Sequence, residues 1–296
     1  MKRESRSDKL FIVFNYGFVI ALTAVILYPL IFVVSASISD PAYVNTGRMW
    51  LWPRGVTLEG YERVFRNPEI WLGYRNTIFY TLTGVLINLF FTLPGAYALS
   101  RRDLVGRNLL TFIIVFTMFF QGGLIPSYLL VKSLGMVNTV WALLLPWAAG
   151  VFQIIVARTF FQTSVPRELE EAAEIDGCST FRLFLSVVLP LSKPIIAVLA
   201  LFYGVMHWNQ YFAALVYLSD RNLYPLQLFL REILVLNQMS AIMTDVENLQ
   251  AQLAMQRAAD LVKYAVMIVA ALPLLIVYPF LQRFFIRGML IGSIKG

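Results

Sequence analysis

Six stretches of this chain run without a single Asp, Glu, Lys or Arg: Leu10–Ile38, Asn76–Ser100, Asn108–Val131, Ser133–Ala157, Pro194–Ser219 and Tyr264–Gln282. A helix that crosses a bilayer needs about 20 mostly apolar residues, because the hydrocarbon core is ~30 Å thick. Each stretch is long enough. Charged residues make up only 14% of the 296, where a soluble domain carries about a quarter. Too few charges remain to clothe a surface facing water. The pattern predicts an all-α integral membrane protein with six transmembrane helices, organised as one domain over 1–296. Three connections are long, 40–75, 158–193 and 220–263.

The first stretch follows Lys2, Arg3, Arg6 and Lys9 and ends near Ser35-Ala36-Ser37. That resembles a signal peptide in outline, but the apolar part of a signal peptide is only about 7–15 residues long. An uncleaved helix is expected. Placing the N-terminus in the cytoplasm puts 14 basic residues in the inner segments and 10 in the longer outer ones. The positive-inside rule then places both termini in the cytoplasm.

Several chemistries are excluded. One cysteine, Cys178, allows no internal disulfide. One histidine, His207, with that cysteine falls short of the roughly four ligands of a structural zinc site. The spans carry no carboxylate for proton or sodium coupling, which argues against a secondary carrier, although backbone carbonyls can bind sodium. No G-x-S-x-G or H-E-x-x-H occurs. No Gly-Lys pair exists, so the chain has no P-loop of its own. Any active transport must draw its energy from another subunit. The net charge of +7 fits membrane flanks and headgroup contacts better than nucleic acid.

The cluster His207-Trp208-Asn209-Gln210, followed by Tyr211, lies inside the fifth stretch. Polar groups at that depth are costly unless they face a cavity or another helix. One reading is hydrogen bonding between helices. The other is a wall for a solute, with Trp208 and Tyr211 stacking on a sugar ring while Asn209 and Gln210 bond its hydroxyls. Both stay open at this stage.

The connection 158–193 reads as two short helices. Ser164 is suited to cap the first, with Pro166 in its first turn. Leu169, Ala172 and Ala173 fall on one face, with Glu168, Glu170, Glu171 and Glu174 mostly on the rest. Gly177, after Asp176, suits a left-handed helix stop. The second helix carries Phe181, Leu183, Phe184, Val187 and Val188 and is expected to stop before Pro190. The arrangement is a docking knob or a plain interfacial hairpin.

The run Glu171-Ala172-Ala173, three residues, Gly177, nine residues, Val187-x-Leu189-Pro190 resembles the EAA motif of ATP-binding-cassette importer permeases, E-A-A-x3-G-x9-I-x-L-P, with Val187 for the usual Ile. Gly122 to Tyr128, His207-Trp208-Asn209, Tyr224 to Gln227 and Gly288 to Gly296 are similar to the carbohydrate-uptake class. They match its second permease subunit, the half like the maltose permease G subunit, and the lipoprotein-type oligosaccharide permease branch.

The resemblance implies a type I (MetI-like) permease fold in a bacterial inner membrane. It implies a non-catalytic subunit of an oligosaccharide importer, with a second, different permease chain, two ATPase subunits and an extracytoplasmic solute-binding protein. ATP and Mg would sit on the ATPases and no cofactor on this chain. Glu171, Ala172, Ala173, Asp176, Gly177, Phe181, Leu189 and Pro190 would form the ATPase-coupling element, and the tail with Ser293 and Lys295 would also reach the ATPases. The sugar-contacting aromatic–Asn pair of the partner subunit aligns with Trp208 and Asn209. A uronate-containing oligosaccharide is a rival solute; the spans hold no Lys or Arg for its carboxylates.

The connection 220–263 holds two helix-competent pieces, Leu226–Asn237 and Val246–Asp260, and is larger than the corresponding loop of the maltose subunit. Segment 40–75 is expected to be amphipathic, with Tyr61, Val64, Phe65 and Trp71 near the headgroups. The competing functions are an ATP-independent carrier or facilitator, a purely structural subunit, and an importer of a non-sugar solute.

Overall fold

The structure, a computed structural model, describes residues 6–243 and 249–293, and every regular element among them is helical. In chain order these are α1 (Arg6–Ser37), α2 (Pro41–Asn45), α3 (Glu59–Arg66), α4 (Pro68–Ser100), α5 (Arg107–Phe119), α6 (Leu124–Ser133), α7 (Trp141–Leu144) and α8 (Val151–Ser164). Then come α9 (Arg167–Ile175), α10 (Thr180–Leu183), a π turn (Phe184–Val188), α11 (Leu189–Leu191), α12 (Lys193–Trp208), α13 (Phe212–Tyr217), a short 3₁₀ turn (Arg221–Leu223), α14 (Leu226–Met243) and α15 (Leu249–Ser293). Contacts divide the chain into two compact units. One combines the chain up to Pro68 with Leu230–Leu272, and the other combines Glu69–Phe229 with the chain from Pro273.

Three helical segments are long and apolar enough to cross a bilayer alone: Ser7–Ser37, Pro68–Ser100 and Arg257–Pro279. The other apolar windows are bent or interrupted. Between α5 and α6 the chain turns by 112° at a point where Gly123 takes φ +83, which only glycine adopts cheaply. The fourth window is split. Its helix α7 ends at Leu144, the chain through Pro146 and Gly150 is irregular, and α8 then continues past Arg158 to Ser164. The fifth begins after an 81° bend at Ser192 and breaks again at Asn209–Tyr211 before α13. Apolar composition marks membrane depth and leaves such breaks unmarked. The two helix-competent pieces of 220–263 also run further than expected, the first to Met243 and the second into the long α15; Val246 to Asn248, at the start of the second piece, lie outside the described residues.

In the first unit α1 carries no charged residue from Leu10 onward, and none of its spanning window is buried within the chain. After it, Asp40 caps α2 by accepting from the Ala42 N–H at 2.9 Å and also accepts from Arg257 at 2.9 Å. Asn45 donates to Asp260 at 2.7 Å. On α3, Val64 is buried, Tyr61 donates to the Ser37 hydroxyl, and Phe65 is exposed. The amphipathic segment thus turns Val64 inward, away from any headgroup layer.

The second unit is organised around α4. Its inward face carries Gly73, Asn76, Thr77, Tyr80, Gly84, Asn88, Thr92 and Ala96, a stripe of three- and four-residue steps. Several of these are polar, and each polar group meets the backbone of an irregular segment, directly or, for Thr92, through Tyr203. Asn76 donates to the carbonyls of Asn222 and Tyr224, and Tyr80 to that of Leu223. Thr77 accepts from the Leu226 N–H at 2.8 Å. Thr92 and Tyr203 share a 2.7 Å hydrogen bond, and the Tyr203 hydroxyl accepts from the Gly150 N–H. Small residues let the partners close in: a Cβ on Gly73 would lie 2.8 Å from the Leu226 Cα.

Gly73→Ala is therefore expected to cost about 1–3 kcal/mol through overpacking. Gly95→Ala in the same helix, where a Cβ meets nothing within 4 Å, is expected to be neutral or to stabilise by about 0.5–1 kcal/mol through lost backbone entropy. Thermal unfolding of the two variants in one detergent checks the contrast.

Candidate functional site

The segment after α8 forms a knob braced on the second unit. Ser164 lies in the last turn of α8, not at the cap of α9, because the chain turns at Val165-Pro166 and α9 starts at Arg167. The stop of α9 is a left-handed glycine turn: Gly177 has φ +73 and the Cys178 N–H reaches the Ala173 carbonyl at 2.9 Å. Ser179 then caps α10 by accepting from the Arg182 N–H. The second helix does not stop before Pro190. Its π turn lets the Leu189 N–H bond the Phe184 carbonyl, and Pro190 follows directly as the second residue of α11 without ending the run. The run ends at Ser192, whose hydroxyl donates to the Val188 carbonyl at 2.6 Å.

Leu183, Phe184 and Val188 are buried in one apolar cluster with Tyr97, Phe161, Ile195 and Leu199, and Ala173, Val187 and Leu189 pack against it. The Phe184 ring stacks on Tyr97 with centroids 5.2 Å apart. The opposite side of the knob is open. Glu171, Ala172, Asp176, Gly177 and Pro190 are exposed, as are Ile175 at 86% and Phe181 at 73%. Ala172 and Ala173 thus do not share one environment: Ala172 faces out while Ala173 leans on the core.

Glu170, read from the sequence as an outward acid, turns inward. Its carboxylate accepts from the Tyr97 hydroxyl at 3.0 Å and lies 3.7 Å from Arg101. This pair ties α9 to the end of α4. Helical periodicity alone could not reveal it, because Glu168, Glu170 and Glu171 look alike until the end of α4 is placed beside them. Ser293 is the last residue of α15; Lys295 lies outside the described residues.

The cluster 207–211 splits between the two readings. His207 is buried, and its Nε2 is 2.7 Å from the Asn88 Oδ1. Asn88 donates in turn to the Trp147 carbonyl. Gln210 lies beside the His207 ring and donates to the Leu143 carbonyl at 3.1 Å. Trp208 is buried, its ring 6.3 Å from that of Tyr74. These three residues hold helices together. Asn209 and Tyr211 are exposed, and with Trp147 and Gln210 they line a cavity of about 310 Å³. Asn88, on a different helix, escaped the sequence reading; the signal was an amide within a charge-free stretch, in step with Asn76 and Thr92.

Removing His207 or Asn88 strands a polar group in a low-dielectric interior, which costs about 1–3 kcal/mol. His207→Ala and Asn88→Ala are each expected to destabilise by that amount. The double variant should lose less than the sum, with a coupling of about 0.5–3 kcal/mol. Asn209→Ala and Tyr211→Ala should stay within about 0.5 kcal/mol of the natural chain. Chemical or thermal unfolding of these five variants and the natural chain in one detergent checks this.

Residues 70–291 match the family of binding-protein-dependent transport system inner membrane components. Protein LplC of Bacillus subtilis (strain 168) is 42% identical over 292 residues, covering 99% of this chain and 97% of LplC. The polygalacturonan/rhamnogalacturonan transport system permease protein YtcP of the same organism is 39% identical over 289 residues, covering 98% and 99%. A crystal structure of a bacterial ABC transporter involved in importing the acidic polysaccharide alginate contains a chain of the same fold. It matches with a TM-score of 0.83 and 36% identity over 96% of this chain and 100% of the other. Regular structure that is helical throughout the described residues, helices long enough to span a membrane, a braced knob carrying the Glu171-to-Pro190 pattern and these matches along nearly the whole length leave one conclusion: the chain belongs to the binding-protein-dependent transport system inner membrane components, the permeases of ABC importers.

Proposed function

We propose that this permease forms half of the translocation pathway of an ATP-driven oligosaccharide importer. It works with a second, different permease chain, two ATPase subunits that carry ATP and Mg, and an extracytoplasmic solute-binding protein. The observation that carries this is the knob itself. Glu171, Ala172, Asp176, Gly177 and Phe181 face outward, while Leu183, Phe184 and Val188 root the same segment in the helical core. A force applied at the exposed face is thus transmitted to α4, α8 and α12 as one body. Closure of the docked ATPases would rock these helices together, the rigid-body form of alternating access. Ala172 and Gly177 permit close approach, Glu171 offers a carboxylate to an arginine, and Phe181 offers an apolar anchor. Both termini and the knob face the cytoplasm in this reading, and Ser293 and Lys295 lie on that side.

A polysaccharide fragment, uronate-containing or neutral, is the solute that best suits the relatives, two of which are named for acidic polymers. Within this chain the surface suited to a sugar is the cavity at Trp147, Asn209 and Tyr211, aromatic faces beside an amide. Trp208, a candidate from the sequence, is better placed as a packing residue. The charge-free spans supply no cation for a carboxylate, so acid recognition falls to the binding protein or the partner permease. An ATP-independent carrier is disfavoured by the family, and a non-sugar solute by the named sugar importers among its relatives.

The test is a mild-detergent pull-down of the complex from native membranes, followed by mass spectrometry. Gly177→Ala adds only the strain of a left-handed alanine, about 1 kcal/mol, and should retain the ATPase. Gly177→Arg also places a long side chain on the docking face and should lose the ATPase at least about thirtyfold, as expected when a docking centre worth about 2 kcal/mol is removed. An ATPase absent from the natural chain, or equally retained by both variants, sinks the assignment. In parallel, Asn209→Ala with Tyr211→Ala should lower oligosaccharide uptake while the complex stays assembled.

A further inference from the structure

A polar cavity of the second unit shares no residue with the cavity at Trp147, Asn209 and Tyr211. It has a volume of about 480 Å³ and lies where α4, α5, α8 and α9 come together, walled by Arg101, Arg102, Arg107, Arg158, Gln162 and Glu170. Four guanidiniums face one carboxylate, and that carboxylate is committed to Tyr97 and Arg101. Arg101 is further held by Asp103 at 2.9 Å, and this pairing keeps the Asp103 carboxyl below the usual carboxylate range. The other three arginines have no carboxylate partner among the described residues. Arg158 gives its Nε–H to the Leu99 carbonyl, and Arg107 reaches the Arg101 carbonyl at 3.5 Å. Arg107 and Arg158 are half-buried and Arg102 is exposed. Concentrated, partly desolvated guanidiniums with unused N–H groups suit an oxyanion, and phosphate above all, because they bind it bidentately.

Two further features narrow the source of that phosphate. A second cavity of about 230 Å³ shares Arg102 and Arg107 and extends to Asn108 at the start of α5, where the helix dipole is positive. From there α5 runs for 13 residues with none buried, exposing Leu109, Phe112 and Phe119 at 64–74%. At ~1.5 Å per residue that is about 20 Å of apolar helix, close to the ~15 Å depth of one leaflet's hydrocarbon. A basic pocket opening onto an apolar rail of acyl-chain length has the shape of a phospholipid. A soluble anion or an acidic peptide would use the pocket and leave the rail unexplained.

We propose that the cavity between Arg102, Arg107 and Arg158 binds the phosphate of an anionic phospholipid, with its acyl chains lying along α5. The lipid would stand beside Glu170, the residue that ties the knob to α4, so lipid charge would bear on how firmly the knob is held. The site does not depend on which solute the importer carries.

The test is native mass spectrometry of the complete importer, purified in mild detergent and exchanged against phosphatidylglycerol, phosphatidylcholine with the same acyl chains, or inorganic phosphate. Phosphatidylglycerol should be retained about tenfold over phosphatidylcholine, the discrimination expected of one or two charge-assisted contacts. Arg107→Gln should lower that retention several-fold. Arg102→Gln, at an exposed side chain whose loss leaves the fold intact, should lower it in the same direction, and Arg66→Gln on α3 should change nothing. Equal retention of the two lipids overturns the proposal. So does displacement of phosphatidylglycerol by inorganic phosphate at equal concentration, which would mark a soluble-anion site. Loss of the ATPase from the arginine variants with lipid retention unchanged would instead make the pocket a protein-docking face.

Discussion

A bilayer interior offers no water to a backbone N–H or C=O, so every break in a helix at that depth must be repaired by the protein itself. This constraint organises the second unit. The chain breaks after Leu144 and again at Asn209 within the charge-free stretches, and once more around Asn222–Pro225 just beyond them, and α4 answers each break. Asn76, Thr77 and Tyr80 serve the last of these, Asn88 reaches Trp147 and His207, and Thr92 acts through Tyr203 on Gly150. The polar residues of α4 are the condition on which the irregular segments persist. Glycines at 73 and 84 set the distance at which they do so: a Cβ on Gly84 would collide with the His207 ring.

From this frame the two outward surfaces follow. Because Asn88 and Gln210 hold the break near Trp208, Asn209 and Tyr211 are left facing open space beside Trp147. Because Tyr97 and Phe161 provide a floor for Leu183, Phe184 and Val188, the helical run that begins at Ser179 is stiff enough to carry load. Its π turn accommodates Pro190 without ending the run, so the knob passes through Ser192 directly into α12. Residues that could touch a partner and residues that pack against the bundle therefore alternate within one short segment.

Some of this was legible beforehand. The left-handed stop at Gly177 follows from glycine after an acidic helix, and the spacing from Glu171 to Pro190 marked the knob. The extended apolar runs of α1 and α4 were equally plain. The breaks at 145–150 and 209–211 were not, because a charge-free window looks the same whether its helix is straight or interrupted. Glu170 was indistinguishable from its acidic neighbours, and the arginine cavity joins residues 101, 107 and 158, which only packing brings together.

The sequence by itself determined that the chain is helical and lives in lipid, and that one loop carries a glycine-stopped acidic helix ahead of an aromatic one. These are properties of local composition and spacing, and local rules suffice for them. Tertiary structure alone decided which polar residues are partners and which are surface. Whether His207 bonds a helix or a solute, whether Glu170 points in or out, and where unpaired arginines gather depend on groups far apart in the chain. Their energies exist only once those groups are within hydrogen-bond reach.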